Sequence, residues 1–156
     1  VAVIPIDGKV RVWWLTACAN INAPTVAELN AGTALEGVIT PDGLNITPST
    51  GKVAAGNLGS TFSAERIGRR AFAISVKFHH DTVDTVWAMM PYRTSGFLAV
   101  RRGIDKATAP ASTQKVEIYP VETGEPAEDT PQPDGSWDYT IEMALTSDAA
   151  TRAVVA

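Results

Sequence analysis

The sequence predicts a mainly β fold, a β-sandwich or barrel-like domain with one flanking α-helix, and three observations carry that expectation. Short runs rich in Val, Ile, Thr and aromatic residues alternate apolar with polar side chains, the period of a half-buried strand. Clusters of Gly, Pro, Asp and Ser punctuate those runs. Between two of the clearest runs, Val83, Val86, Trp87 and Met90 recur at the spacing of one helical face. The pattern amounts to about six to eight strands with one or two helices.

In chain order, Val10 to Thr16 (VRVWWLT) reads as a strand whose Trp13 and Trp14 face opposite sides, so both faces need cover from a second sheet or a neighbouring subunit. Thr25 and Glu28 have the spacing of a capping box and predict a short helix that stops at Ala31-Gly32. Leu35 to Thr40 reads as a strand, Pro41-Asp42-Gly43 as a turn and Leu44 to Thr47 as its return. Pro48 to Ser63 shows no sustained period and reads as a long loop, either functional or disordered when free. Phe72, Ile74, Val76 and Phe78 then alternate with smaller or polar residues as a strand. Asp81 stands where an N-cap would be, Asp84 near the positive end of the helix dipole, and Pro91 after the last helical residue. Phe97 to Val100 forms the next strand, closing on Arg101-Arg102-Gly103, and Lys115 to Val121 another. Thr123 to Gly135 is acidic and Pro-rich, an unpacked connection by composition. Trp137, Tyr139, Ile141, Met143 and Leu145 mark one face of a further strand, and Ala149 to Ala156 reads as either a final short strand or a tail.

At 156 residues, with 45% apolar composition, the chain is expected to form a single domain, 1–156, with a real core. One cysteine, Cys18, rules out an internal disulfide framework and suits synthesis in a reducing cytoplasm. No apolar run approaches the length of a membrane span and no signal-peptide pattern opens the chain, so no membrane role is expected. Charge is unevenly spread. Residues 1–115 carry 12 Lys/Arg against 8 Asp/Glu, and residues 116–156 carry Arg152 against 9 acids, giving +4 and −8. Opposite regions on one chain suit head-to-tail contact between copies, although the acids also read simply as solvating one loop. Net acidity argues against specific DNA binding.

Chemistry finds little support. His79-His80-Asp81 is the one cluster resembling a metal or acid–base site, but neighbours on a strand point apart and the chain has no third histidine. Cys18 has no base beside it in sequence and reads as a small buried hydrophobe. Nucleophile-elbow, zincin, phosphate-loop and dinucleotide motifs are absent. Glu122, Glu125, Glu128 and Asp129 sit in a connection too loose to fix a carboxylate pair, and they lack calcium-loop spacing. No catalytic, cofactor or metal site is expected, and the chain is read as a non-enzyme. Arg66, Arg69, Arg70, Arg101 and Arg102 are candidates for contacts between subunits, with Glu125, Glu128 and Asp129 as their acidic counterparts. Trp13, Trp14, Trp87 and Trp137 are read mostly as core, with one or two as interface anchors.

Three stretches carry a resemblance: Trp87 with Arg93-Thr94-Ser95-Gly96-Phe97-Leu98-Ala99-Val100-Arg101-Arg102-Gly103, then Lys115-Val116-Glu117-Ile118-Tyr119-Pro120-Val121-Glu122-Thr123-Gly124, and the Ala153-Val154-Val155-Ala156 ending. In these residues and their order, the chain resembles the major tail tube proteins of long-tailed bacteriophages, notably those infecting actinobacteria. Some members continue into a C-terminal immunoglobulin-like domain, which is not seen here. The resemblance implies a structural virion protein, made in the host cytoplasm, whose hexameric rings stack into a tube. That tube would surround a tape-measure protein, meet terminator and baseplate or distal tail proteins at its ends, and conduct DNA without binding it specifically. On this reading Asp138, Thr140 and Glu142 are candidates to line the lumen, and Pro48–Ser63 to order on contact with the next ring. Two other readings stay open on sequence: a monomeric β-sandwich binding carbohydrate or peptide through exposed aromatics, and a related ring protein that caps without polymerising.

Overall fold

The computed structural model describes residues 1–156 and is mainly β, as expected. A single antiparallel sheet contains strands β1 (Val10–Leu15), β2 (Thr33–Ala34), β3 (Ile39–Ala54), β4 (Glu65–His79), β5 (Ser95–Arg102), β6 (Lys115–Thr123), β7 (Ala127–Glu128), β8 (Asp138–Leu145) and β9 (Ala150–Val154). Its order is β2-β1-β5-β6-β8-β4-β3, with β7 added to β8 and β9 to β6. Two short helices, α1 (Val26–Ala31) and α2 (Thr85–Met89), complete the elements.

The sheet closes over a main core. Val12 and Trp14 of β1, Leu98 and Val100 of β5, Tyr119 and Val121 of β6, Ile141 and Met143 of β8, and Ile74, Val76 and Phe78 of β4 all belong to it. Strands from distant positions in the sheet order thus share one interior, which makes the fold sandwich-like rather than flat. The opposite face of β1, β5 and β6 supports a second core of Trp13, Leu15, Ala99, Val116 and Ile118, covered by Leu29 of α1 and by Ala150 and Ala153 of β9. Trp13 and Trp14 therefore enter different cores, as the alternation of a strand requires.

Helix α1 forms as its sequence dictates. The Thr25 hydroxyl accepts from the Glu28 backbone N–H at 3.1 Å, and Glu28 accepts from the Thr25 backbone N–H at 3.0 Å. Glu28 also accepts from the backbone N–H of Ala19 at 2.8 Å. These donors, Thr25 first, hold its carboxyl below the ordinary glutamate range.

Several boundaries differ from the sequence expectation. Pro41-Asp42-Gly43 does not reverse the chain, because Ile39 and Leu44 both pair with β4, opposite Phe78 and Val76. The intervening residues bulge out of one continuous strand. Gly43 permits this: a Cβ there would lie 2.4 Å from the Thr40 hydroxyl oxygen and 2.6 Å from the Lys77 carbonyl oxygen. Pro48 to Ser63 is not an irregular loop, since Pro48 to Ala54 extend β3 against β4 and only the tip lies outside the ladder. Asp81 is not the N-cap of α2. Its carboxylate accepts from the Thr82 backbone N–H, and the cap position belongs to Asp84, in a left-handed conformation at φ 48°. The helix consequently starts later, Val83 lies outside it at 75% exposure, and Val86, Trp87, Met89 and Met90 pack against the main core. The acidic connection is partly ordered too, with Ala127 and Glu128 pairing with Thr140 and Tyr139. The chain's last residues form a strand, β9, as one of the two sequence alternatives held.

Trp14 fits only because residue 96 has no side chain. A Cβ at Gly96 would lie 2.4 Å from Trp14 Cζ2 and 2.7 Å from Cε2. Gly96→Ala is expected to destabilise the fold by about 1–3 kcal/mol through overpacking, read as a lower urea midpoint at unchanged slope.

Candidate functional site

Beyond the sandwich, β3 and β4 continue as a two-stranded arm. Its ladder pairs Thr47 with Ala73 through Ala54 with Glu65, and the Ala55 N–H donates to the Ala64 carbonyl at 2.9 Å to close it. Residues 49–67 are exposed apart from a half-buried Ala64. Opposite residues in the ladder share a face, so Val53 with Arg66 forms one side and Lys52 with Ile67 the other. Each face thus displays an apolar side chain to solvent, and Leu58 and Phe62 do so at the tip. An isolated two-stranded ribbon is marginal in water, and this arm has no cover within its own protomer. The lack of period in its sequence now has a cause: neither face packs on the protomer's own core.

The arm is basic. Arg66 and Arg69 are exposed, and Arg70 is anchored at its root by the Asp148 carboxylate at 2.7 and 3.0 Å and the Ala149 carbonyl at 2.9 Å. The other two arginine candidates differ. Arg101 is 0% exposed and donates to the Gln114 side chain at 3.0 Å, the Asp105 carbonyl at 3.0 Å and the Thr108 carbonyl at 2.8 Å. Its guanidinium lies over Trp13, and burial pulls its proton affinity below the usual arginine range. Enclosed in its own protomer, Arg101 has no surface to offer a neighbour, a correction to the sequence reading. Arg102 points the other way, as alternation predicts, and donates to Glu117 at 2.8 Å.

The acidic candidates divide in the same manner. Asp129 pairs with Lys77 at 2.8 Å, a bond that raises the lysine's proton affinity. Glu128 accepts from Trp137 Nε1 at 2.9 Å and meets His80 Nε2 at 3.0 Å. Glu125 is left exposed.

Thr140 and Glu142 of β8 lie opposite Lys77 and Ser75 of β4, on the face away from the main core. Continuing across that face come Asn45, Thr47, Ala73, Ser49 and Ala71, all small or polar. Asp138 shares the side but is buried, accepting from Ser136 Oγ at 2.8 and 2.9 Å and paired with His79. Burial pushes its carboxyl up, but Ser136, His79 and Lys77 outweigh that and leave it below the ordinary range.

The two histidines do point apart. His79 meets Asp138, while His80 is enclosed by Asp84, Glu128, Trp87, Trp137 and Tyr139. Sequence spacing could have suggested the Asp84 partner, four residues on; Glu128, 48 residues on, comes only from the fold. No set of His, Cys, Asp and Glu side chains converges as a metal centre would. Cys18 is half-buried beside Glu28, and burial raises its thiol above the usual range.

A sandwich that leaves a ribbon with apolar side chains on both faces uncovered has the form of a subunit in a structural assembly. A family model described as phage tail tube protein matches residues 2–156, and the chain belongs to that family. It is therefore a structural protein of the phage virion tail. Curated protein sequences offer no match to it.

The two adjacent arginines should respond differently to substitution. Arg101→Leu leaves buried carbonyls without donors and is expected to cost about 1–3 kcal/mol, with faster amide exchange in residues 104–114. Arg102→Gln removes a largely solvated pair and should cost under about 1 kcal/mol. Equal losses in urea melts would refute the assignment.

Proposed function

We propose that this chain is the repeating subunit of a tail tube made of stacked hexameric rings, which surrounds a tape-measure protein and conducts DNA to the host. The observation that carries the reading is the arm, a ribbon with apolar side chains on both faces and no cover within its own subunit. A neighbouring ring supplies that cover, and the basic Arg66, Arg69 and Arg70 meet acidic residues there, Glu125 among them. Arg102, Glu128 and Asp129 border the same contacts while holding their internal partners.

The outer strand edge of β3 supports ring closure. β3 is paired only to β4, so its other edge keeps free donors and acceptors that a neighbouring subunit can pair. Successive sheets joined this way close into a large barrel, which leaves no edge exposed. The small polar face of β3, β4 and β8, with Thr140 and Glu142 and with Asp138 beneath, then turns to the lumen. Lys77 is the one cation on that stretch, and Asp129 neutralises it. Such a wall offers DNA phosphates no grip, which passage requires. Terminator and baseplate or distal tail proteins meet the end rings. The subunit is made in the bacterial cytoplasm before assembly and takes no cofactor.

Electron microscopy of concentrated purified protein tests this reading. Wild type is expected to form tubes or stacked rings. The double substitution Leu58→Asp with Phe62→Asp is expected to stop stacking while shifting stability by less than about 0.5 kcal/mol, because both side chains are solvent-exposed. Particles that stay single subunits at high concentration would instead indicate a monomeric binding module, and single rings that never stack a capping protein.

A further inference from the structure

The acidic segment from Gly124 to Trp137 is fastened to the sheet around one buried imidazole. His80 follows the end of β4 with its side chain 3% exposed. Its Nδ1 lies 2.9 Å from Asp84 Oδ2, and its Nε2 lies 3.0 Å from both oxygens of Glu128. Trp137 stacks on the ring, centroids 3.8 Å apart and planes at 21°. Trp87 and Tyr139 close the remaining sides at 5.1 and 4.5 Å. Trp137 Nε1 in turn donates to Glu128, and the backbone N–H of His80 donates to the Trp137 carbonyl at 2.8 Å. One side chain thus joins the start of α2, strand β7 and the entry to β8.

A neutral imidazole has a single N–H and can serve one carboxylate; serving two requires the imidazolium. We propose that His80 is a proton-operated latch, holding Asp84 and Glu128 together while charged and releasing the acidic segment when it loses its proton. The groups facing it are consistent in sign. Asp84 comes from the α2 end, Glu128 from β7 and the Tyr139 phenol from β8, while Trp87 and Trp137 present π faces that favour a cation. His79 and Asp138 pair with each other on the other side of the strand end. Neither Asp84 nor Glu128 has a lysine or arginine partner, so deprotonation leaves two carboxylates around a site with no compensating charge.

Burial lowers the proton affinity of His80, but the hydrogen bonds and charges of Asp84 and Glu128 outweigh it and set the value above the ordinary histidine range. The Asp81 backbone N–H and then His80 hold Asp84 correspondingly low. Because the folded value is raised, the latch contributes fully below about pH 6.5, the unfolded value, and its contribution is lost as pH rises through the folded one. The device lies within one subunit and does not depend on the assembly proposed above.

The test uses the whole protein carrying His79→Gln, so that one histidine ring signal remains. That signal is followed by NMR from pH 5 to 9, alongside amide protection factors for residues 124–137. The expected result is a midpoint above 6.5, with protection at Asp129, whose N–H donates to the Asp138 carbonyl at 3.0 Å, falling about tenfold or more through that midpoint. Glu128→Gln should lower the midpoint. Asp84→Asn, which keeps a residue suited to the left-handed backbone, should do the same if the first variant folds poorly. A midpoint below 6.5, or protection unchanged across the transition, would overturn the latch.

Discussion

Strand β6 is paired along one edge by β5 but divides its other edge between two strands, and the rest of the architecture follows from that division. Lys115 to Ile118 pair with β9, while Val121 to Thr123 pair with β8. β8 and β9 are adjacent in the chain, so both can bind β6 only by diverging from each other, which bends the sheet into two layers. Pro120 lies at the changeover, where it has no N–H to leave unpaired, and its carbonyl accepts from the Thr146 N–H at 2.9 Å. The bend encloses Trp14 on one side of β1 and gives Trp13 a separate cover on the other. It also leaves β3 at a margin with nothing beyond it.

Within that frame, charge is used in two ways. Arg101, Arg102, Lys77, Asp129, Glu128 and Asp138 are committed inside the protomer, where they fix loops that the short strands alone would leave loose. Arg66, Arg69 and Glu125 remain at the surface. Composition counts both kinds alike, so the charge difference between the two ends of the sequence does not say which residues are committed within the protomer.

What could be read from sequence was local. The capping box at Thr25 and Glu28, the opposed tryptophans and the alternation of β4 and β8 all follow from periods of two or from fixed short spacings. What escaped reading depended on distant partners. The Pro41-Asp42-Gly43 bulge mimics a turn because both satisfy the same backbone demands, and only the shared partner strand separates them. The arm has strand geometry without strand periodicity, since periodicity reports a buried face and this ribbon has none. Glu128 looked like solvent-facing acid until β7 brought it to His80. The tail tube resemblance rested on ordered motifs, and the family match over residues 2–156 agrees with it.

The sign of the arm's charge has a consequence for the subunit before any tail exists. An uncovered hydrophobic ribbon is a hazard in a crowded cell, where identical copies meet far more often than the correct docking surface. Lys52 is offset by Glu65, but Arg66 and Arg69 mean that two arms approaching each other face like charge, a barrier that an acidic surface lacks. Those side chains thereby keep free subunits from clumping ribbon to ribbon.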